Sequence, residues 1–323
     1  MEYNNQQQMK YQKFGIMEMK RMALTALRGK WKEALLPTFI YGLFMLVPTF
    51  INISISLSVE TKLIASFQDM NNFVDNYTNI QTESNSLNII SSLIFFYELF
   101  LAGAFLIGFS TLALKIIRRE TFSANTIFTG FKNYGQSLSL YILYYLLCIL
   151  ISLIYIIPII VVAIGGVLQN VSILILSFVL IIIATVIVII LLLRLSMSFF
   201  IAADNRNMSA TAALKRSAFL MIGNKGRYFL LALSFIGWAI LVSLPASIGL
   251  TSMILSPVTG TSIPTVVVAI LTVLTIILNC PLLLYMQTAT AVFYSNISGN
   301  FSTGSANSSA QSDAYDENEQ TIQ

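Results

Sequence analysis

The chain has no histidine. That removes the commonest general base and the commonest metal ligand, and with them any His-based triad or HExxH zinc site. Cysteine is almost as scarce. Cys148 and Cys280 both lie in apolar runs, form no CxxC pair and supply no disulfide framework, so each reads as a small buried residue. Charge is sparse too: 10% of the 323 residues, against about 25% in an average soluble domain. There is no GxxxxGK[ST] loop, no GxGxxG after a strand, and no acidic cluster able to hold a metal within the apolar stretches. An enzyme, a bound cofactor and a nucleic-acid partner are therefore not expected.

What is present is apolar side chain, 56% of the sequence. A water-soluble fold could not bury so much, so a bilayer must cover it. Crossing the hydrocarbon core takes about 20 apolar residues. Six stretches qualify: 34–57, 89–117, 138–164, 173–193, 228–255 and 265–294. Gly165, Gly166, Gln169 and Asn170 divide the third from the fourth, and Pro257, Gly260 and Pro264 the fifth from the sixth. Such short, turn-rich links make helical hairpins. Pro158 leaves open whether 138–201 is two full spans or a broken arrangement. The fold class is thus all-α: a polytopic membrane protein of about six transmembrane helices. Its domains read as a segment 1–33, a membrane domain 34–294 and a tail 295–323.

Lys and Arg accumulate on the cytoplasmic side of membrane proteins. All of the 18 here except Lys62 fall in 1–33, in the loops 118–137 and 203–227, or at their borders. Both termini are therefore expected inside. The polar N-terminal stretch does not read as a cleavable signal, and the first apolar run would act as an uncleaved anchor. The one sizeable external segment is 58–88. There Leu63, Phe67, Met70 and Val74 recur at helical spacing, as in a short amphipathic helix. The tail holds Asp313, Asp316, Glu317 and Glu319 with no basic residue, a composition typical of disorder.

Three inner segments share a design. Ile16, Met19, Ala23 and Leu27 line one face of a helix that also carries Lys20, Arg21 and Arg28. Residues 123–134 set Ile127, Phe128 and Phe131 beside Lys132. Residues 209–222 read as a helix capped by Ser209 and closed by Gly223, with Leu214, Ala218, Met221 and Ile222 apolar. Basic amphipathic helices lie in the membrane interface and attract anionic lipid of the inner leaflet. Each precedes a membrane hairpin, the pattern of a three-fold repeat of inner helix plus hairpin.

The stretch Ala202-Ala203-Asp204-Asn205, Met208-Ser209-Ala210, Ala213-Leu214-Lys215-Arg216-Ser217, Met221-Ile222-Gly223-Asn224-Lys225, Leu233-Ser234-Phe235-Ile236-Gly237-Trp238 resembles a bacterial integral membrane family catalogued as domain of unknown function 975. Ala26-Leu27-Arg28-Gly29-Lys30-Trp31, Thr129-Gly130-Phe131, Pro281, Tyr285-Met286-Gln287-Thr288 and Phe293-Tyr294 are similar to further elements of it. Ala212 and Arg206 depart from the pattern, standing where an acidic residue and a proline are usual. The resemblance spans about residues 14–296. It implies a bacterial plasma membrane, often of Gram-positive type, and no activity.

Seven residues stand out as functional candidates. Glu98 is the one acidic residue deep in a span: a relay group, a protonated carboxyl bonded to a neighbouring helix, or a group near the outer interface if the span starts late. Arg194 ends an uncharged run and either snorkels to the inner headgroups or pairs with Glu98. Asp204, Lys215, Arg216 and Lys225 form either an inner docking surface or a solvated, topology-setting helix. Trp238, beside Gly237, marks either a close helix approach or plain packing. Two functions fit. One is a non-catalytic accessory or scaffold protein that meets anionic lipid or a membrane protein partner through its basic inner helices. The other is a transporter or exporter of a small or amphiphilic molecule, a reading that includes resistance to membrane-active peptides.

Overall fold

The computed structural model describes residues 14–68, 72–259 and 264–299. Met70, the N-terminal stretch before Phe14 and the acidic tail lie outside the described residues. Among those described, regular structure is entirely helical: α1 (Ile16–Leu27), α2 (Trp31–Gln68), α3 (Phe73–Ile117), a 3₁₀ segment (Ala124–Asn133), α4 (Tyr134–Ser152), α5 (Ile156–Val167), α6 (Val171–Leu195), α7 (Ser198–Asp204), α8 (Ala210–Leu220), α9 (Lys225–Leu233), α10 (Ile236–Thr259) and α11 (Thr265–Ser298).

Four stretches are long and apolar enough to cross a membrane: Phe73–Ile117, Ala124–Val167, Val171–Asp204 and Val266–Ser298. A fifth is the pair Lys225–Leu233 and Ile236–Ser252, bent by 42°, if the two count as one span. The run 34–57 falls inside α2, and some of its side chains lie outside the described residues. The architecture is that of a polytopic helical membrane protein. Its middle portions are clothed in exposed apolar side chains, such as Ile157, Phe178 and Ile270. In water such a surface would aggregate, whereas acyl chains solvate it.

Three antiparallel hairpins organise the chain: α2 with α3, α5 with α6, and α10 with α11. The described part of segment 58–88 forms the far end of the first hairpin. There α2 continues to Gln68 and α3 starts at Phe73, and Lys62 bonds Glu83 across the pair. The division at 138–201 is equally plain. Leu153–Tyr155 tightens into a 3₁₀ turn before Pro158, α4 and α5 run on, and the chain reverses at 168–170. Asn170 caps α6 by accepting from the Ser172 and Ile173 amides at 3.0 and 3.4 Å.

The prolines are absorbed locally. Pro48 lies inside α2 and leaves the Phe44 carbonyl without its helical donor. The Tyr97 hydroxyl donates to that oxygen at 3.0 Å from the facing helix. At Pro245 the next amide, Ala246, donates to Thr275 Oγ1 at 2.9 Å, which ties α10 to α11.

The buried core is concentrated at the end of the molecule that carries the Lys and Arg residues, the basic end. Two clusters occupy it, one around α1, α7, α8 and the last turns of α11, the other around α3 and the 3₁₀ segment. Here the three amphipathic segments depart from the interfacial reading. One side of each is buried in protein, while Phe128 and Ile222 stay exposed. Met19, Ala23 and Leu27 of α1 are fully buried, as are Ile127, Ala213 on α8 and Met221 at its C-cap. In each case the receiving helix belongs to another hairpin. Helix α1 packs on α11, the 3₁₀ segment on α3, and α8 on α4, α6 and α7.

Small residues make these contacts possible. A Cβ on Gly108 would collide with the Ile127 carbonyl, and one on Gly130 with the Ala104 carbonyl, so backbone meets backbone there. The cap-to-glycine spacing of α1 matches that of α8 residue for residue. Gly15, Met19, Ala23, Leu27 and Gly29 correspond to Ser209, Ala213, Ser217, Met221 and Gly223. Gly29 and Gly223 both adopt positive φ, +78° and +74°, and close their helices in the left-handed region that glycine accepts.

Candidate functional site: a polar clasp at the basic end

The last residues of the three hairpins converge. Arg118 caps α3, Asp204 ends α7 beyond the second hairpin, and Tyr294 lies near the end of α11. Arg118 donates to Asp204 Oδ1 at 2.6 Å, and the Tyr294 hydroxyl donates to Asp204 Oδ2 at 3.2 Å. Both carboxylate oxygens are therefore occupied. The Asp204 side chain is 12% exposed and that of Arg118 34%. Tyr294 is fully buried, with its ring stacked on Phe200 at 5.7 Å. Arg216 of α8 is close enough for its charge to act on the Tyr294 hydroxyl. The centre thus holds two guanidinium groups and one carboxylate.

A second set of bonds pins α1. Ser234 and Phe235 interrupt the path from α9 to α10. Lys20 donates to the Ser234 carbonyl at 3.3 Å, with its ammonium 4.4 Å from the centre of the Phe235 ring. Tyr285 returns a bond to the Lys20 carbonyl at 3.4 Å. Arg227 donates to the Phe14 carbonyl at 2.8 Å, to Asn224 at 3.2 Å and to Asn296 at 3.3 Å. Asn296 and Ser295 are accordingly buried within α11, which runs to Ser298. The start of the tail, read from composition as disordered, is helix up to that point. Ser217 bridges α8 to the end of α6, donating to the Arg194 carbonyl at 2.8 Å and accepting from the Met197 amide at 3.1 Å.

Of the seven candidates, Asp204 is in the clasp and Arg216 beside it. Lys215 is exposed on α8, and Lys225 is half-buried at the start of α9. Arg194 is exposed at the end of α6, whereas Glu98 is half-buried on α3. Trp238 does not mark close packing. It is 59% exposed, and a Cβ on Gly237 would meet nothing within 4 Å. The two cysteines are free, Cys148 half-buried and Cys280 buried.

Arg118, Tyr294, Lys20, Arg227 and Asn296 were not singled out from the sequence. A basic residue in a basic loop carries no mark of its partner. The signal for Tyr294 was its place in the Phe-Tyr pair that closes the resemblance.

Apolar hairpins joined through a polar end define a multi-pass helical membrane protein. The chain belongs to the family described as protein of unknown function DUF975, whose model matches residues 15–300. No curated protein and no solved structure matches it.

Proposed function

We propose that this is a non-catalytic accessory or scaffold protein of the bacterial plasma membrane. It has six spans, cytoplasmic termini and a cytoplasmic basic end that engages anionic lipid and a membrane protein partner. The observation that carries the reading is the character of the basic-end rim. Once the amphipathic segments have buried one apolar stripe, each still offers apolar and cationic groups outward. Met17 and Leu24 are exposed beside Arg21 and Arg28, Phe128 near Lys132, and Phe219 and Ile222 near Lys215 and Arg216. Cation plus exposed apolar side chain is the combination that seats a surface in an anionic interface. The matched spacing of α1 and α8 and the cross-docking of all three inner segments support reading the fold as three repeated units.

The test is photo-cross-linking in native membranes from probes at Phe219 and Ile222. The expected result is one predominant protein adduct, abolished by Lys215→Glu with Arg216→Glu. Lipid adducts alone at every rim position would overturn the scaffold role.

A second reading, transport of an amphiphilic molecule, is favoured by the half-buried Glu98 within α3. Substrate-dependent flux in proteoliposomes that is lost in Glu98→Gln would support it. Unchanged flux across a broad panel would remove it.

A further inference from the structure

We propose that the basic centre around the clasp is a docking site for the chain's own acidic tail, the segment Asp313–Glu319. The first observation is charge. Asp204 accepts from Arg118 and Tyr294, so its charge is already compensated, while Arg216 adds a second cation near the Tyr294 hydroxyl. Arg119 follows Arg118, Arg206 follows Asp204 by two residues, and Lys215 precedes Arg216. All three are exposed. Glu120 is the exposed acidic residue next to this group, and it leaves the patch with a clear cationic excess.

The second observation is position. Tyr294 is itself part of the clasp, and α11 ends four residues later at Ser298, so the chain leaves the structure beside the basic centre. The fourteen residues from Asn300 to Asp313 can reach up to about 46 Å when extended. The tail therefore needs no special path to the site. The third observation is complementarity. Asp313, Asp316, Glu317 and Glu319 lie within seven residues, and no Lys or Arg follows Arg227 in the sequence. Tethering makes the encounter intramolecular, at an effective concentration on the order of millimolar. Four carboxylates against a cationic patch then hold the tail in place at low ionic strength, and salt releases it.

The consequence is a self-occluded basic face. Whatever anionic surface approaches the clasp must displace the tail first. The inference is independent of the scaffold reading, since the tail can dock whether or not a protein partner exists.

The experiment uses the full chain in nanodiscs of zwitterionic phosphatidylcholine. Spin labels are placed at Thr121→Cys and Ser312→Cys in a Cys148→Ala, Cys280→Ala background. Electron–electron distances are measured at low salt and at about 1 M salt, where the Debye length falls to about 3 Å. The same is done with Asp313→Asn, Asp316→Asn, Glu317→Gln and Glu319→Gln combined. The expected result is a short, narrow distance population at low salt, lost at high salt and absent in the neutralised tail. Dilution with unlabelled protein must leave it unchanged. A distribution that ignores salt, or is the same in the neutralised tail, overturns the proposal. So does a short distance that vanishes on dilution, because the occupant would then be the tail of a second copy.

Discussion

At the scale of single residues, the clasp and the proline repairs are the places where one atom matters. Asp204 accepts two bonds in a setting only 12% exposed. Removing its charge leaves the Arg118 guanidinium with a weaker acceptor and the Tyr294 hydroxyl with a poorer one. A charged hydrogen bond of this kind contributes about 2 kcal/mol, discounted here because Arg118 is a third exposed. Asp204→Asn and Arg118→Gln should each destabilise the purified protein by roughly that amount. The double variant should be less destabilised than the sum of the two, because both remove one interaction. Strict additivity in detergent thermal unfolding would show that the pair is not coupled. Tyr97→Phe should cost about 1 kcal/mol by a different route, since it strands the Phe44 carbonyl that Pro48 released. A variant in which Pro48 is also replaced by alanine should recover most of that loss. If it does not, the hydroxyl acts elsewhere.

At the scale of elements, the question is why three amphipathic segments face protein when their sequences read as interfacial. A stripe such as Met19, Ala23 and Leu27 looks the same whether lipid or protein covers it. The hydrophobic period places a helix and fixes its buried face, but not its partner. So α8 was legible from Ser209, its apolar spacing and Gly223, cap and left-handed glycine included. What was not legible was its seat on α4, α6 and α7. The 3₁₀ segment was harder still, because its tighter winding removes the 3.6-residue signature. The signal that carries destination is the small residue at the contact, on the receiving helix and on the segment that docks. Gly108 and Gly130 let the 3₁₀ backbone lie directly on α3. Gly108→Ala and Gly130→Ala must therefore push backbone from backbone. Each should lower stability by at least about 2 kcal/mol, the range of overpacked sites with no flexible neighbour. Gly135→Ala, with open space around the added methyl group, should be near neutral. Equal effects at all three positions, read by thermal unfolding, would refute the close approach. Gly223→Ala should cost about 1 kcal/mol through its positive φ alone, and Gly29→Ala the same.

At the scale of the whole molecule, the proposed six-span arrangement places all three hairpin tips on one face of the membrane and the basic end on the other. The core sits at the basic end, and the hairpins differ in how much holds them beyond their own partners and lipid, since α2 also packs on α10 and α11. The second hairpin is the extreme case, since α5 packs chiefly on α6. It is also the one whose apolar run Pro158 made ambiguous, and a re-entrant loop there would change the number of spans. Cysteine labelling from one side separates these arrangements. Val74, Leu168 and Pro264 are exposed near the three tips, and Thr121 is exposed at the basic end. Maleimides need a hydrated thiolate, so Cys148 and Cys280 within the apolar helices should stay silent and serve as the background. Replaced singly by cysteine, Val74, Leu168 and Pro264 should all react with a membrane-impermeant maleimide in intact cells. Thr121→Cys should react only after permeabilisation. The concentration of Lys and Arg at one end requires this direction. If Leu168→Cys alone reacts from the inside, α5 and α6 form a re-entrant pair and the six-span reading falls to four. If all four positions reverse, the basic end faces outward, and both the lipid-seated rim and the tail-docked clasp would lie on the wrong side of the membrane.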